Sequence, residues 1–487
     1  LRQSETTLLP FFVGGSWVTG TGPAIETLNP ADGSLLAHVS SASASDVDMA
    51  VSAARAALRN SAWRGCKPHQ RAAFLYRMSE LIQRDAERLA RLQMSDNGKT
   101  LGECRRQIAS AAGTFRYYAG ACETREDVLP PRRSDALAMT IAEPVGVVAA
   151  ITPWNSPATL EAQKLAPILA AGNTVILKPS EVTPLMALAY ARIGEEAGLP
   201  PGVLNVVTGA GAVGVALVEH SGVDMVSFTG GSATGRAIAS SCGARLKPVV
   251  LELGGKSPNI VFEDADQAAA LQGVIEGIFS GAGQSCVAGS RIFVQRTIHA
   301  EFVAALTQAA ERYRIGPPDA EATQIGPLVS FGHRDKVAAY VEIGRDEGGR
   351  VLAGGTTPAT GALARGAYYA PTLMDGLGPQ ARICREEIFG PVGVVLPFGD
   401  EADLVAMAND SEFGLAAGLW TRDYRRAWRV GEQLGAGTIW VNTYKDLSIS
   451  TPFGGMKQSG LGQEKGLQGM EAYSFRKSLH WALDKSA

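Results

Sequence analysis

The sequence is poor in the residues that build covalent or metal-held scaffolds. Its 487 residues include only six cysteines and six histidines. Cys66, Cys104, Cys122, Cys242, Cys286 and Cys384 form no C-x-x-C pair. A disulfide framework is therefore not expected, and reduced thiols in a cytoplasm fit the spacing. The histidines form no H-x-x-H or H-E-x-x-H, so no metal site is expected. An excess of one charge is also missing. The net charge of −3 gives no basic field for nucleic acid or acidic membranes. No apolar run reaches the roughly 18 residues of a spanning helix. Leu1 to Pro10 lacks a basic stretch followed by an apolar one, so no secretory signal is expected. What is present, 46% hydrophobic and 19% charged residues, describes a soluble globular chain. Its length calls for two or three domains.

Residues 11–40 read as short strands and turns, punctuated by Gly14-Gly15, Asn29-Pro30 and Asp32-Gly33. Leu75, Met78, Ile82, Leu89 and Leu92 then recur at helical spacing and predict one long helix over Gln70 to Asp96, ended by Gly98. From Val145 the pattern alternates. Apolar runs at Gly146 to Ile151, Thr174 to Leu177, Leu204 to Thr208, Met225 to Phe228 and Val249 to Glu252 are separated by helical segments. Such runs predict a parallel sheet covered on both faces. Ile292 to Val294, Gly393 to Leu396, Gly418 to Trp420 and Thr438 to Val441 predict a second α/β set. Ser134 to Ile141 and Ala472 to His480 fit neither sheet. They read as edge strands that pair with another subunit, or as local hairpins.

One cysteine stands in unusual company, in Gly281-Ala-Gly-Gln-Ser-Cys286. Its small neighbours let backbone approach a ligand and leave the sulfur reachable, so Cys286 reads as a reactive thiol or as a small packing residue. Gly209-Ala-Gly-Ala-Val-Gly214 matches G-x-G-x-x-G literally, yet no acidic residue follows at the expected distance. It is a pyrophosphate cradle or simply a tight turn. Phe228-Thr-Gly-Gly-Ser-Ala-Thr-Gly235 is the stronger phosphate candidate, because a strand ends there and a helix opens. Lys178 and Glu181 follow a strand end and suit ribose and phosphate oxygens; otherwise they are solvated loop charges. Asn155 offers an amide to a developing oxyanion, or caps the next helix. Glu252 ends a strand and suits a general base, or pairs with Lys256. Glu387 and Phe389 can hold a ribose and wall a flat ring, or can be ordinary packing.

Taken together, the ordered motifs Pro153-Trp-Asn155, Lys178-Pro-Ser-Glu181, Phe228-Thr-Gly230, Glu252-Leu-Gly-Gly-Lys256, Gly283-Gln-Ser-Cys286 and Glu386-Glu-Ile-Phe-Gly-Pro391 resemble the aldehyde dehydrogenase superfamily over nearly the whole chain. The resemblance implies an α/β fold with two doubly wound domains and a small β oligomerisation arm. The implied boundaries are 1–119, 143–252 and 443–466 for the cofactor domain, 253–442 for the catalytic domain, and 120–142 and 467–487 for the arm. It implies Cys286 as nucleophile, Glu252 as base and Asn155 as oxyanion donor, with Lys164 and Glu464 linked to proton release from the base. The cofactor, NAD with NADP possible, would be met by Ile151, Thr152, Pro153, Trp154, Lys178, Ser180 and Glu181. Gly211, Phe228, Thr229, Gly230, Gly231, Leu253, Glu387 and Phe389 complete that set. Gly231 stands where many relatives have Ser, and Gln463 where Arg is frequent.

By matching motif positions, the aldehyde pocket should include Ser156, Thr159, Leu160, Gln163 and Ser280. Ser285, Val287, Leu447 and Phe453 complete it. These are mostly small or polar, so a bulky or oxygen-bearing aldehyde is expected. Expected partners are that small molecule and further copies of the chain, as a homodimer or homotetramer, with no nucleic acid and no membrane. A CoA-acylating relative usually lacks the base, and a non-catalytic one would have lost Cys286 or Glu252. Both residues are present.

Overall fold

The structure, a computed structural model, describes residues 8–131 and 135–483. The leading residues 1–7, Ser134 at the head of the first extended stretch and 484–487 at the end of the expected arm lie outside the described residues. Two sheets dominate. The first has eight strands, in the order Gly460–Leu461, Val249–Glu252, Met225–Thr229, Val147–Ile151, Thr174–Lys178, Leu204–Val206, Phe11–Val13 and Ser16–Val18. Its middle strands are parallel and buried along their length, which is why they read as unbroken apolar runs. The second has seven strands, in the order Arg350–Ala353, Thr372–Asp375, Val392–Phe398, Arg291–Gln295, Pro258–Val261, Ala416–Trp420 and Thr438–Val441. Each sheet has its own apolar core, one around Val148, Ile176 and Tyr190, the other around Ile260, Phe293 and Leu419. Among the described residues no helix is long and apolar enough to cross a membrane.

The expected fold class holds, with two local corrections. The single helix expected over Gln70 to Asp96 is two, Pro68–Arg84 and Ala86–Asn97. Asp85 leaves helical dihedrals (φ −97°, ψ 13°), and Arg84 and Arg88 hold its carboxylate at 2.9 and 2.6 Å. Gly98 does end the second helix, at φ +78°. The two stretches outside both sheets, Ala136–Pro144 and Ser474–Ala482, pair antiparallel with each other in the same chain. They therefore form neither local hairpins nor free edges on both sides. The strands Pro258–Val261, Arg350–Ala353 and Thr372–Asp375 add to those expected from the sequence.

Strand register positions the site. Lys178 pairs with Ile151, Ile151 with Phe228, and Thr229 with Glu252. The carboxyl ends of four neighbouring parallel strands thus form one row, the edge at which open α/β sheets bind ligands.

Candidate active site

A cavity of about 640 Å³ opens at the Thr229 and Glu252 end of that row and runs to the loop that carries Cys286. The loop follows the helix Gln267–Phe279 and precedes the strand Arg291–Gln295. Between them Gly281, Ala282 and Gly283 all have positive φ (66°, 55° and 67°), a left-handed run that turns the chain sharply before the cysteine. The glycines serve a different purpose from the expected one. A Cβ on Gly283 would lie 2.1 Å from the Gly390 carbonyl oxygen, and one on Gly289 would lie 3.0 Å from Asn259 and Tyr444. They admit protein atoms that lock the loop, while the cavity itself meets Ser285, Cys286 and Val287.

Cys286 is half-buried and packs against Val287, Leu415, Trp440 and Phe453. Burial raises its thiol above the ordinary range, and the carboxylates of Glu252 and Glu387 raise it further. The backbone N–H groups of Val287 and Cys286 oppose that shift. Asn155 lines the same cavity, and its Nδ2 donates to the Gln284 carbonyl at 3.0 Å. It does not cap the next helix, whose N-cap is Ser156. Glu252 is buried, and its Oε1 has no hydrogen-bond partner. Burial first, then the Glu464 charge, pushes its carboxyl well above the usual range, while Lys164 and Lys465 pull it back. No ion pair joins it to Lys256, whose own Nζ is buried without a partner.

Behind the base lies a buried polar chain. Lys164 Nζ meets Glu464 at 2.5 Å and donates to Ser227 Oγ at 3.0 Å, which in turn meets the Tyr473 hydroxyl at 2.9 Å. Gln163, which lines the cavity, donates to the other oxygen of Glu464 at 2.6 Å.

At the other end, Glu387 accepts from the Gly255 N–H at 3.0 Å, and burial pushes its carboxyl up to about 7. Phe389 holds a left-handed conformation (φ 61°) and stands edge-on to Trp154, centroids 5.1 Å apart. His333, unmarked in the sequence, lies within 2.7 Å of the Phe389 carbonyl. Thr229 Oγ1 and Ser232 Oγ, at the strand-to-helix turn, are buried with no partner. An added Cβ on Gly231 would meet nothing within 4 Å, so that corner is open.

The cavity therefore gathers Pro153, Trp154, Asn155, Thr229, Gly230, Gly231, Glu252, Leu253, Cys286, Glu387 and Phe389, together with all nine expected pocket residues. Lys164 and Glu464 lie behind it. Ile151, Thr152, Lys178, Ser180, Glu181, Phe228 and Gly211 do not line it. Lys178 Nζ turns onto the Pro179 carbonyl at 2.8 Å and stands 4.0 Å from Glu181. A Cβ added to Gly214 would lie 3.7 Å from the Lys178 side chain, so the literal glycine motif borders this second cluster rather than the cavity. Sequence reasoning missed the charges that line the cavity: Lys99, Glu103, Arg106, Glu276, Lys336, Lys445 and Lys465. Only Lys465 had a signal, as the immediate neighbour of Glu464.

Residues 17–479 match the aldehyde dehydrogenase family. The chain is 40% identical over 472 residues to a betaine aldehyde dehydrogenase of Bacillus subtilis, covering 96% of each. It superposes on an NAD+ complex of an aldehyde dehydrogenase from Bacillus cereus with a TM-score of 0.96 at 40% identity, covering 99% of this chain and 98% of that one. PnpE in complex with nicotinamide adenine dinucleotide gives 0.96 at 39% identity and 99% of both chains.

Proposed function

The chain belongs to the aldehyde dehydrogenase family, and from that premise we propose how its own residues carry the reaction. The enzyme oxidises an aldehyde to the corresponding acid with NAD. The Cys286 thiolate attacks the carbonyl carbon and forms a C–S bond. The second N–H of the Asn155 amide and the Cys286 backbone N–H hold the resulting oxyanion; one such donor is worth roughly 2.7–4 kcal/mol. NAD held there would supply the acceptor for the hydride that leaves the carbon, which leaves Cys286 carrying a thioester. Glu252 takes a proton from water, the hydroxide adds to the thioester carbon, and the acid leaves as the thiolate re-forms. The Lys164–Glu464 chain behind Glu252 carries the accepted proton away.

The residues suit NAD. The unpartnered hydroxyls of Thr229 and Ser232 face an open turn at a helix N-terminus, which fits phosphate oxygens. Glu387 with Phe389 and Trp154 fits a ribose and its nicotinamide. Lys178 and Glu181 fit the second ribose, and Glu181 disfavours a 2′-phosphate, hence NAD over NADP. The cofactor domain is read as 1–119, 143–252 and 443–466, the catalytic domain as 253–442. The paired ribbon strands are read as the arm of a homo-oligomer. The small and polar residues Ser156, Thr159, Gln163, Ser280 and Ser285 on the aldehyde side of the cavity favour a bulky or oxygen-bearing aldehyde.

The observation that carries this reading is the meeting of Cys286, Asn155 and Glu252 in one cavity that also holds Glu387 and Phe389. The test is aldehyde-dependent NADH release that disappears in Cys286→Ala. Unchanged release in that variant refutes the assignment of the nucleophile.

A further inference from the structure

The cavity carries cations that no protein carboxylate meets at contact distance, although Glu252 and Glu464 act on Lys465, and Glu103 and Glu276 on Lys445, from farther off. Lys99, Arg106, Lys445 and Lys465 line it, and among the described residues none of the four has a carboxylate oxygen within 4.0 Å. Two of its acids, Glu103 and Glu276, are engaged by neutral donors. Glu103 accepts from Thr100 N–H at 3.0 Å, Thr100 Oγ1 at 2.9 Å and Gly281 N–H at 2.6 Å. Glu276 accepts from Gln272 at 3.0 Å. Lys445 donates only to neutral oxygens, Ser280 Oγ at 3.0 Å and the Glu276 carbonyl at 3.4 Å.

Lys465 is the most telling of the four. Its backbone sits at φ 57°, ψ 174°, a region that side-chain-bearing residues rarely enter. This twist separates two neighbours: Glu464 turns back onto Lys164 and Gln163, and Lys465 enters the cavity. There its Nζ makes no hydrogen bond or ion pair and lies 5.4 Å from the centroid of the Phe453 ring. That ring is part of the cluster against which Cys286 packs. Aromatic faces are what quaternary ammonium groups use for recognition, and this one is already covered by a cation.

We infer that the aldehydes taken by this enzyme carry a carboxylate remote from the carbonyl, and that Lys465 reads it, with Arg106 at the exposed mouth attracting it. The inference rests on the cavity being the aldehyde site. A substrate carboxylate supplies the missing contact partner, whereas a trimethylammonium aldehyde adds a further cation.

The test is kcat/KM with NAD for 5-oxopentanoate, its methyl ester, pentanal and betaine aldehyde. A charge-assisted contact predicts that the oxo acid exceeds its ester by about 10–100-fold, with betaine aldehyde last. Added salt narrows the gap. Lys465→Met lowers kcat/KM for the oxo acid about 10–100-fold more than for pentanal, chiefly through KM, and Lys465→Arg restores the preference. The inference is overturned if the wild-type enzyme handles ester and acid alike, or if Lys465→Met depresses all substrates equally. Pentanal turnover without acid preference overturns this inference alone. No NADH from any aldehyde overturns the reading of the cavity itself.

Discussion

Replacing Glu252 with Gln separates the two halves of the proposed reaction. The carboxylate is 3% exposed, its Oε1 has no partner, and the amide has nearly the same volume, so the cavity is preserved. What changes is charge. Glu252 is the largest electrostatic contribution holding the Cys286 thiol above its ordinary range, second only to burial. Without it the thiol ionises more readily, and attack on the aldehyde is not slowed. The second half loses its base. General-base catalysis is worth about 10²–10⁴-fold, or roughly 2.7–5.4 kcal/mol of barrier at 1.36 kcal/mol per decade. Stopped-flow absorbance should show a burst of about one NADH per site followed by a steady rate lower by that factor. Alkylation of Cys286 should proceed at lower pH than in the wild type. In the wild type, the raised carboxyl must be deprotonated to act, so kcat should fall with decreasing pH well above the ordinary glutamate range of 4.5. Full steady turnover in Glu252→Gln, or loss of the burst, refutes the assignment.

Three further outcomes follow from the same geometry. Asn155→Ala should lower kcat about 10²–10³-fold with little change in thiol alkylation; equal loss of both would place Asn155 in loop support through its Gln284 bond. Lys164→Met leaves Glu464 buried and uncompensated, which predicts about 3–5 kcal/mol of destabilisation in denaturant titrations. Adding Glu464→Gln should recover most of it, and because Lys164 pulls the Glu252 carboxyl down, the single variant should also move the acid limb of kcat to higher pH. Glu161 is buried with both oxygens unpartnered; burial, then the neighbouring Asp96 charge, holds its carboxyl well above 4.5. The folded state thus keeps a proton that the unfolded chain releases, and stability falls as pH rises above 4.5. Glu161→Gln should therefore raise Tm more at pH 8 than at pH 5, and the opposite order would exclude this account.

Much was legible because it is local. A strand buried on both faces shows as an apolar run, a helix end as Gly98, and a nucleotide-side strand end as a glycine pair after Thr229. The short motifs around Asn155, Glu252 and Cys286 each carry a chemical type at a strand or loop end, so the sequence named them singly. It left each with a second meaning, and contact decides between them. Asn155 reaches Gln284 instead of capping, and Glu252 has no Lys256 partner. Register alone aligns Lys178, Ile151, Phe228, Thr229 and Glu252 along one edge, since side chains distant in sequence share no local pattern. The same holds for Arg106, Lys445 and Lys465. In sequence a cation facing solvent and one facing a cavity look alike, and only packing brings three segments together around the thiol. The paired ribbon strands belong with them, for a strand's choice of partner is settled by tertiary contacts.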